Sequence, residues 1–292
     1  MKKFILGTDW WTDCDDCVAL RLLSRAHKLS EAKLLGVVIN ACMPYSAASL
    51  DGFLTLDGIS DIPIGIDTEA TDFGGKPPYQ ANLAPHATKY RSNLDAEDPV
   101  KLYRRLLEAS DTPTEIIEIG YLQVFANLLD SPPDEISEKS GLELVREKVT
   151  RVWCMAGKWD ADGEKENNFA RNPRAVFGAR KFLQSCPVPI TLLGFEVGFD
   201  VLSGTDLSDG DHLRQALKDH GSETGRSSWD PMLTLLALVG DAELAGYKEI
   251  RGTASLDTEG RNYFEISDTG MHSYVVKTRP NDFYKNSINE LL

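Results

Sequence analysis

The sequence predicts an α/β fold: an open, mostly parallel sheet with helices on both faces and a short antiparallel appendage at the C-terminal end. Three observations carry this prediction. Short apolar runs alternate with helical periods from residue 4 to about residue 240. Several of those runs are continuously apolar, as in strands covered on both faces. The last fifty residues or so instead read as strands joined by Gly and Asp turns. At 292 residues the chain can hold one large α/β domain, and a single domain over residues 1–292 is expected.

Residues 4–6 form a short buried strand. Residues 18–29 set Val18, Leu20, Leu22, Leu23 and Ala26 on a helical period, with Asp15 and Asp16 as cap and first turn. Residues 34–39 are an apolar strand, 46–59 a helix and 62–66 a strand. Residues 68–95 are rich in Gly, Pro and Asn and read as a long surface loop, of the length that tends to serve function. Asp98-Pro99 opens a helix through residue 109, with Pro at its first position. Residues 116–119 form a strand ending at Gly120, and a helix follows over 122–129. A polar connection over 131–141 leads to a buried strand at 149–155. Residues 157–172 are a second long polar loop, and Pro173 starts a helix over 174–183. Residues 190–193 are a strand, with helices around 206–219 and 230–239. Residues 249–256, 263–266 and 273–277 are the closing antiparallel strands.

Composition narrows the function classes. Hydrophobic content of 42% with 26% charged residues is that of an ordinary soluble protein. A net charge of −14 argues against a nucleic-acid partner, which needs a basic face. Acidity of this kind aids solubility. Lys2 and Lys3 precede only Phe4 to Gly7, too short an apolar run for a signal peptide, and no run approaches a membrane span. A cytoplasmic location without a membrane partner is expected. Five cysteines, an odd number, argue against a disulfide framework. Cys14 and Cys17 bracket two aspartates that raise thiol pKa values, so their spacing reads as chance, with Cys17 a small core residue.

One segment stands out chemically. Thr8 introduces Asp9, Asp13, Asp15 and Asp16, between the first apolar strand and the first helix. Ligands of open α/β sheets bind outside the carboxyl ends of strands. Four carboxylates in one turn repel each other unless a cation or solvent relieves them. A hard divalent cation with oxygen ligands, Ca²⁺ or Mg²⁺, is the natural partner. An EF-hand counted from Asp13 fails, because Val18 stands at the sixth position and Ser24 at the twelfth. A phosphatase-type Asp-x-Asp fits poorly, because the frames Gly7-Thr8-Asp9 and Asp9-Trp10-Trp11 each lack one carboxylate.

The segment Thr8-Asp9-Trp10-Trp11-Thr12-Asp13-Cys14-Asp15-Asp16-Cys17 resembles the opening signature of the nucleoside hydrolase family. It is similar to the branch reading Thr-Asp-x-Gly-Thr-Asp-x-Asp-Asp-Ala. The resemblance continues in order. Ile119-Gly120 to Leu129 is similar to a Gly-Pro-Leu-Thr-Asn-Leu segment. Met155-Ala156-Gly157 with Glu166 to Pro173 resembles Met-Gly-Gly, Glu-Phe-Asn and Asp-Pro. Gly194 to Gly198 matches a later strand end. Ser228-Trp229-Asp230-Pro231 resembles the final site segment, and a weaker echo spans residues 260–272.

The resemblance implies a Rossmann-like nucleoside hydrolase fold and one Ca²⁺ at the bottom of a pocket. Asp9, Asp16, the Ile119 carbonyl and Asp230 would bind the metal, and Asp9 would also act as general base on the metal-bound water. Asp15 would hold the ribose 2′-hydroxyl, with Asp13 competing for that role or for the metal. Glu166 and Asn168 would grip the 3′- and 5′-hydroxyls. The implied reaction is Ca²⁺-dependent hydrolysis of the N-glycosidic bond of a ribonucleoside or related N-riboside, as in purine and pyrimidine salvage, giving ribose and free base. The implied assembly is a homodimer or homotetramer. The alternative is a non-catalytic, metal-dependent ribosyl-binding protein of the same fold. Singly, the aspartates also suit plain helix caps. Several positions depart from the pattern. Gly7 replaces the first Asp, so a supporting carboxylate is missing. Trp10-Trp11 replaces smaller residues, and Asn172 replaces an Asp. Trp229 stands where many members have a histidine that protonates the leaving base; it can stack on a base but cannot act as an acid. His86, in the long loop, is the histidine that would have to reach the pocket instead.

Overall fold

The computed structural model describes residues 1–292. The strands are β1 (Lys2–Thr8), β2 (Ala32–Ile39), β3 (Ile64–Ile66), β4 (Thr114–Glu118), β5 (Val149–Met155) and β6 (Glu164–Lys165). They continue with β7 (Ile190–Leu193), β8 (Leu202–Ser203), β9 (Arg226–Ser227), β10 (Tyr247–Leu256), β11 (Arg261–Ile266) and β12 (His272–Lys277). Ten of them form one sheet in the order β3-β2-β1-β4-β5-β7-β12-β10-β11-β6, and β8 and β9 pair separately. Pairing is parallel from β3 through β12 and antiparallel among β12, β10, β11 and β6.

The continuously apolar first strand has a simple cause. Side chains alternate across a strand. Phe4 and Leu6 enter the core on one face of the sheet, and Ile5 enters the core on the other. The first face is covered by helices that include Asp15–Lys28, Ser46–Leu56 and Trp229–Val239, the second by Pro99–Glu108, Gln123–Asp130 and Pro173–Ser185. Strand order reverses at β1: β2 and β3 lie to one side, β4, β5 and β7 to the other. The gap beyond the ends of β1 and β4 is therefore a topological switch point, where open sheets bind ligands.

Some expectations need correction. The antiparallel strands are present, but they continue the main sheet, because β12 pairs in parallel with β7. Residues 157–172 are not all loop; they hold β6 and the short helix Asn167–Ala170. Residues 206–211 are not helical. Asp211 caps the helix His212–His220, and the turn before it needs the left-handed φ of 86° at Gly210. Cys14, not Asp15, is the N-cap of the first helix. Helices Gly141–Lys148 and Asn281–Asn289 were not foreseen. No helix is long and apolar enough to cross a membrane.

Candidate active site

The acidic turn follows β1 directly. The Thr8 hydroxyl donates to the Asp16 carboxylate and accepts the Trp10 N–H at 3.0 Å, tying strand end to helix start. Trp10 has a φ of 42°, rare for a bulky residue. Its side chain is driven into the core, fully buried, edge-on to Phe53 and Tyr79. Its indole N–H donates to Ser49 at 2.8 Å, and its carbonyl accepts from Gln80 at 2.5 Å. That packing holds a strained backbone in place. The reversal points Trp11 the other way, to a cavity of about 440 Å³. Gly120 closes the other side: a Cβ there would overlap the Asp9 backbone nitrogen and stand 2.7 Å from Asn40 Oδ1.

Asp9, Asp13, Asp15, Asp16, Ile119, Glu166, Asn168, Trp229 and Asp230 all line this cavity. Carboxylate oxygens of Asp15, Asp16 and Asp230 lie within 4.8 Å of one another. This cluster includes Asp15, to which the resemblance gave a ribose hydroxyl, and not Asp9. None of these three carboxylates caps its own helix; Asp15 instead accepts the Asp230 N–H at 3.1 Å. Burial, and then the neighbouring carboxylates, push Asp9, Asp15, Asp16 and Asp230 well above the ordinary carboxylate range. The ion pair in the turn belongs to Asp13, whose carboxylate is gripped by Arg226 Nε at 2.7 Å. Burial raises Asp13, but the Arg226 bond and charge outweigh it and hold Asp13 low. A buried set of hard oxygen donors without a basic partner fits a hard divalent cation.

Glu166 and Asn168 are buried, not solvated. Glu166 caps the helix Asn167–Ala170, accepting the Asn168 and Gly157 N–H groups at 2.9 Å each. Burial lifts its carboxyl to about 7 against the pull of those donors. The Asn168 amide donates to the Met155 carbonyl at 2.9 Å, fixing the side chain at the end of β5. The space beside Gly7 is filled by a carboxyl group from the next strand. A Cβ on Gly7 would overlap the Glu118 carboxyl group, 2.5 Å from its Cδ. Glu118 is buried, accepts the Tyr103 hydroxyl, and is lifted by burial to about 8.

The rim is aromatic and basic. Trp229 stacks on Phe195, with ring centroids 5.2 Å apart, and donates its indole N–H to the Phe195 carbonyl at 2.7 Å. Arg226 lies 5.2 Å from the Trp229 ring centre and Arg171 lies 4.7 Å from that of Trp11. His86 does not reach the site; it lines a different cavity beside His212. His220 approaches Asp13 and Cys14, a proximity invisible in the sequence, but does not line the cavity. The five cysteines are free. Sequence reasoning missed Arg171, Phe195 and Arg226. The first two lie inside the segments that carried the resemblance, but nothing local marks them as cavity-lining. Arg226 is paired with a residue 213 positions away.

No protein-family model and no curated protein matches the sequence. Solved structures do match in fold. A plant nucleoside hydrolase superposes with a TM-score of 0.72 at 15% identity, over 99% of this chain and 98% of that one. A purine-preferring ribonucleoside hydrolase from Gardnerella vaginalis gives a TM-score of 0.70 at 18% identity, over 99% of each chain. The type III effector protein XopQ, complexed with adenosine diphosphate ribose, gives 0.70 at 16% identity, over 99% of this chain and 93% of that one. Across its whole length, therefore, the chain has the nucleoside hydrolase fold.

Proposed function

We propose that the chain hydrolyses the N-glycosidic bond of a ribonucleoside or related N-riboside, giving ribose and free base, with a divalent cation, Ca²⁺ by resemblance. The observation that supports this most is the convergence of buried carboxylates from three distant segments, around Asp9, Glu166 and Asp230, on one cavity. Asp9, Asp16, Asp230 and the Ile119 carbonyl would hold the ion, with Asp15 close enough to share that duty. When bound, such an ion supplies a Lewis acid that lowers the pKa of water and orients sugar hydroxyls.

The residues then divide the work. Asp9 takes a proton from the attacking water, the work of a general base. Asp15 holds the 2′-hydroxyl, while Glu166 and Asn168 hold the 3′- and 5′-hydroxyls. Positive charge develops on the sugar as the bond to the base breaks. The surrounding carboxylates lower the energy of that charge. A cytoplasmic role in purine and pyrimidine salvage, and assembly as a homodimer or homotetramer, belong to the same reading. Light scattering tests the assembly.

A non-catalytic ribosyl-binding protein is the second reading. It is favoured by the likeness to an effector solved with adenosine diphosphate ribose and by Trp229 at the leaving-group side. One assay separates the two. The protein is incubated with a nucleoside panel, with calcium or with chelator, and reducing sugar is measured. Chelator-sensitive ribose release supports the hydrolase. Tight ribose binding with no release from any substrate supports the binding protein.

A further inference from the structure

The indole N–H groups at the rim of the cavity are spent on backbone. The Trp229 indole N–H goes to the Phe195 carbonyl at 2.7 Å, and the Trp11 indole N–H to the Gly74 carbonyl at 2.5 Å. The Arg171 guanidinium donates twice to the Phe73 carbonyl, at 3.3 and 3.0 Å. No histidine, lysine, cysteine or tyrosine lines the cavity. His220, the nearest imidazole, shares its Nδ1 with the Ser222 hydroxyl at 2.8 Å. Both Glu166 oxygens accept backbone N–H groups. What the rim presents to a leaving group is aromatic surface, at Trp11, Phe195 and Trp229, with the Thr12 hydroxyl and the Asn167 amide beside it, neither of which is an acid.

Charge points the same way. Asp13 and the adjacent Arg226 neutralise each other, which leaves five carboxylates lining the cavity against one arginine, Arg171. Such a cavity attracts a cation even with a divalent ion on its floor, and aromatic rings add to that attraction.

A neutral nucleobase leaves with the bonding electron pair and a negative charge on its ring nitrogen, so its departure calls for a proton donor. A base already quaternised at the glycosidic nitrogen has no such need. The C1′–N pair returns to the ring nitrogen and cancels its positive charge. Water oxygen bonds to C1′, its proton passes to Asp9 and then to solvent. The balance is riboside cation plus water giving ribose, neutral base and one proton.

Resting on the hydrolase reading above, we propose that this site is specialised for N-ribosides whose base is cationic at the glycosidic nitrogen, of which pyridinium ribosides are the simplest class. The test uses the full chain with calcium and four substrates: nicotinamide riboside, inosine, uridine and 4-nitrophenyl riboside. The last leaves as a stable anion without protonation. The expected result is cleavage of nicotinamide riboside with kcat/KM about 10²-fold or more above inosine and uridine, the least that general acid help is worth. The 4-nitrophenyl compound is expected to be cleaved as well. Neutral nucleosides cleaved within tenfold of nicotinamide riboside would overturn the specialisation while leaving the hydrolase reading intact. If that cleavage is lost in His220→Gln, the missing acid has been found and the proposal falls for a known reason. No ribose from any of the four substrates overturns the hydrolase reading itself.

Discussion

The floor and the rim of the cavity are built on opposite principles. On the floor, Asp9, Asp15, Asp16 and Asp230 hold carboxylates that no basic side chain neutralises, and each is pushed upward by burial and by its neighbours. At the rim, the indole N–H groups of Trp11 and Trp229 and two N–H groups of Arg171 are taken by backbone carbonyls, and Asp13 is paired with Arg226. The floor is electrostatically unfinished without a ligand, whereas the rim is finished without one. The proposed chemistry therefore falls to the floor, with shape, stacking and charge left to the rim.

The largest expected effect tests the floor. Asp9→Asn removes the proposed base and should lower kcat by about 10²–10⁴-fold with the fold retained by circular dichroism. In chelated protein, Asp16→Asn should raise the melting temperature, because it deletes one of several repelling buried carboxylates. Calcium should stabilise the wild type, by about 2.7 kcal/mol at a hundred times its Kd, and the variant much less. A wild-type melting temperature indifferent to calcium, magnesium and manganese would sink the metal floor.

Gly120→Ala asks how exactly the floor must be held. The added Cβ overlaps the Asp9 nitrogen and meets Asn40 Oδ1 at 2.7 Å. Overpacking of this kind costs about 1–3 kcal/mol of stability, and a displaced base about 10²-fold in rate. Unchanged kcat in a normally melting variant would mean that the Asp9 backbone tolerates movement, against the view of a rigid floor.

Arg226→Met perturbs the rim instead. The pair with Asp13 is about one-third exposed on each side, 29% and 31%. Exposed pairs are worth up to about 1 kcal/mol, so KM should change by roughly fivefold at most. A loss in kcat as large as that of Asp9→Asn would erase the distinction between the two halves.

The floor was largely legible in the sequence because its key part is local. Asp9 to Asp16 share one turn, and a strand before and a helix after give that turn a place at a sheet end. Joining it to Ile119, Glu166 and Asp230 required the ordered resemblance, since no periodicity links segments so far apart. The rim was not legible. The Arg226–Asp13 pair, the Trp229–Phe195 stack and the indole bonds to loop carbonyls depend on how loops close over the sheet. The same limit hid Glu118 as the occupant of the space beside Gly7, which only the pairing of β1 with β4 reveals. It also hid the continuity of the sheet, because Gly and Asp turns mark β10 to β12 as antiparallel but say nothing of β12 lying beside β7.

That junction offers the smallest effect, and one that leaves the site untouched. His272 is 7% exposed at the start of β12, opposite Gly252 of β10 and Ile190 of β7. Its Nδ1 accepts the Ala254 N–H at 2.9 Å, a role that requires the neutral ring, and burial holds its pKa below the ordinary imidazole value. In acid the unfolded chain takes up this proton before the folded one does. The stability His272 contributes is therefore complete above its unfolded pKa, about 6.5, and is lost as pH falls through the lower folded value. The metal-free floor responds in the opposite sense, since its raised carboxyls favour the folded state at low pH. Comparing wild type with His272→Asn in calcium removes that background. The melting-temperature advantage of the wild type should be largest near pH 7.5 and should shrink toward pH 5.5. An advantage that is constant over this range would mean that His272 keeps its proton balance on unfolding, and that the sheet junction is held by packing alone.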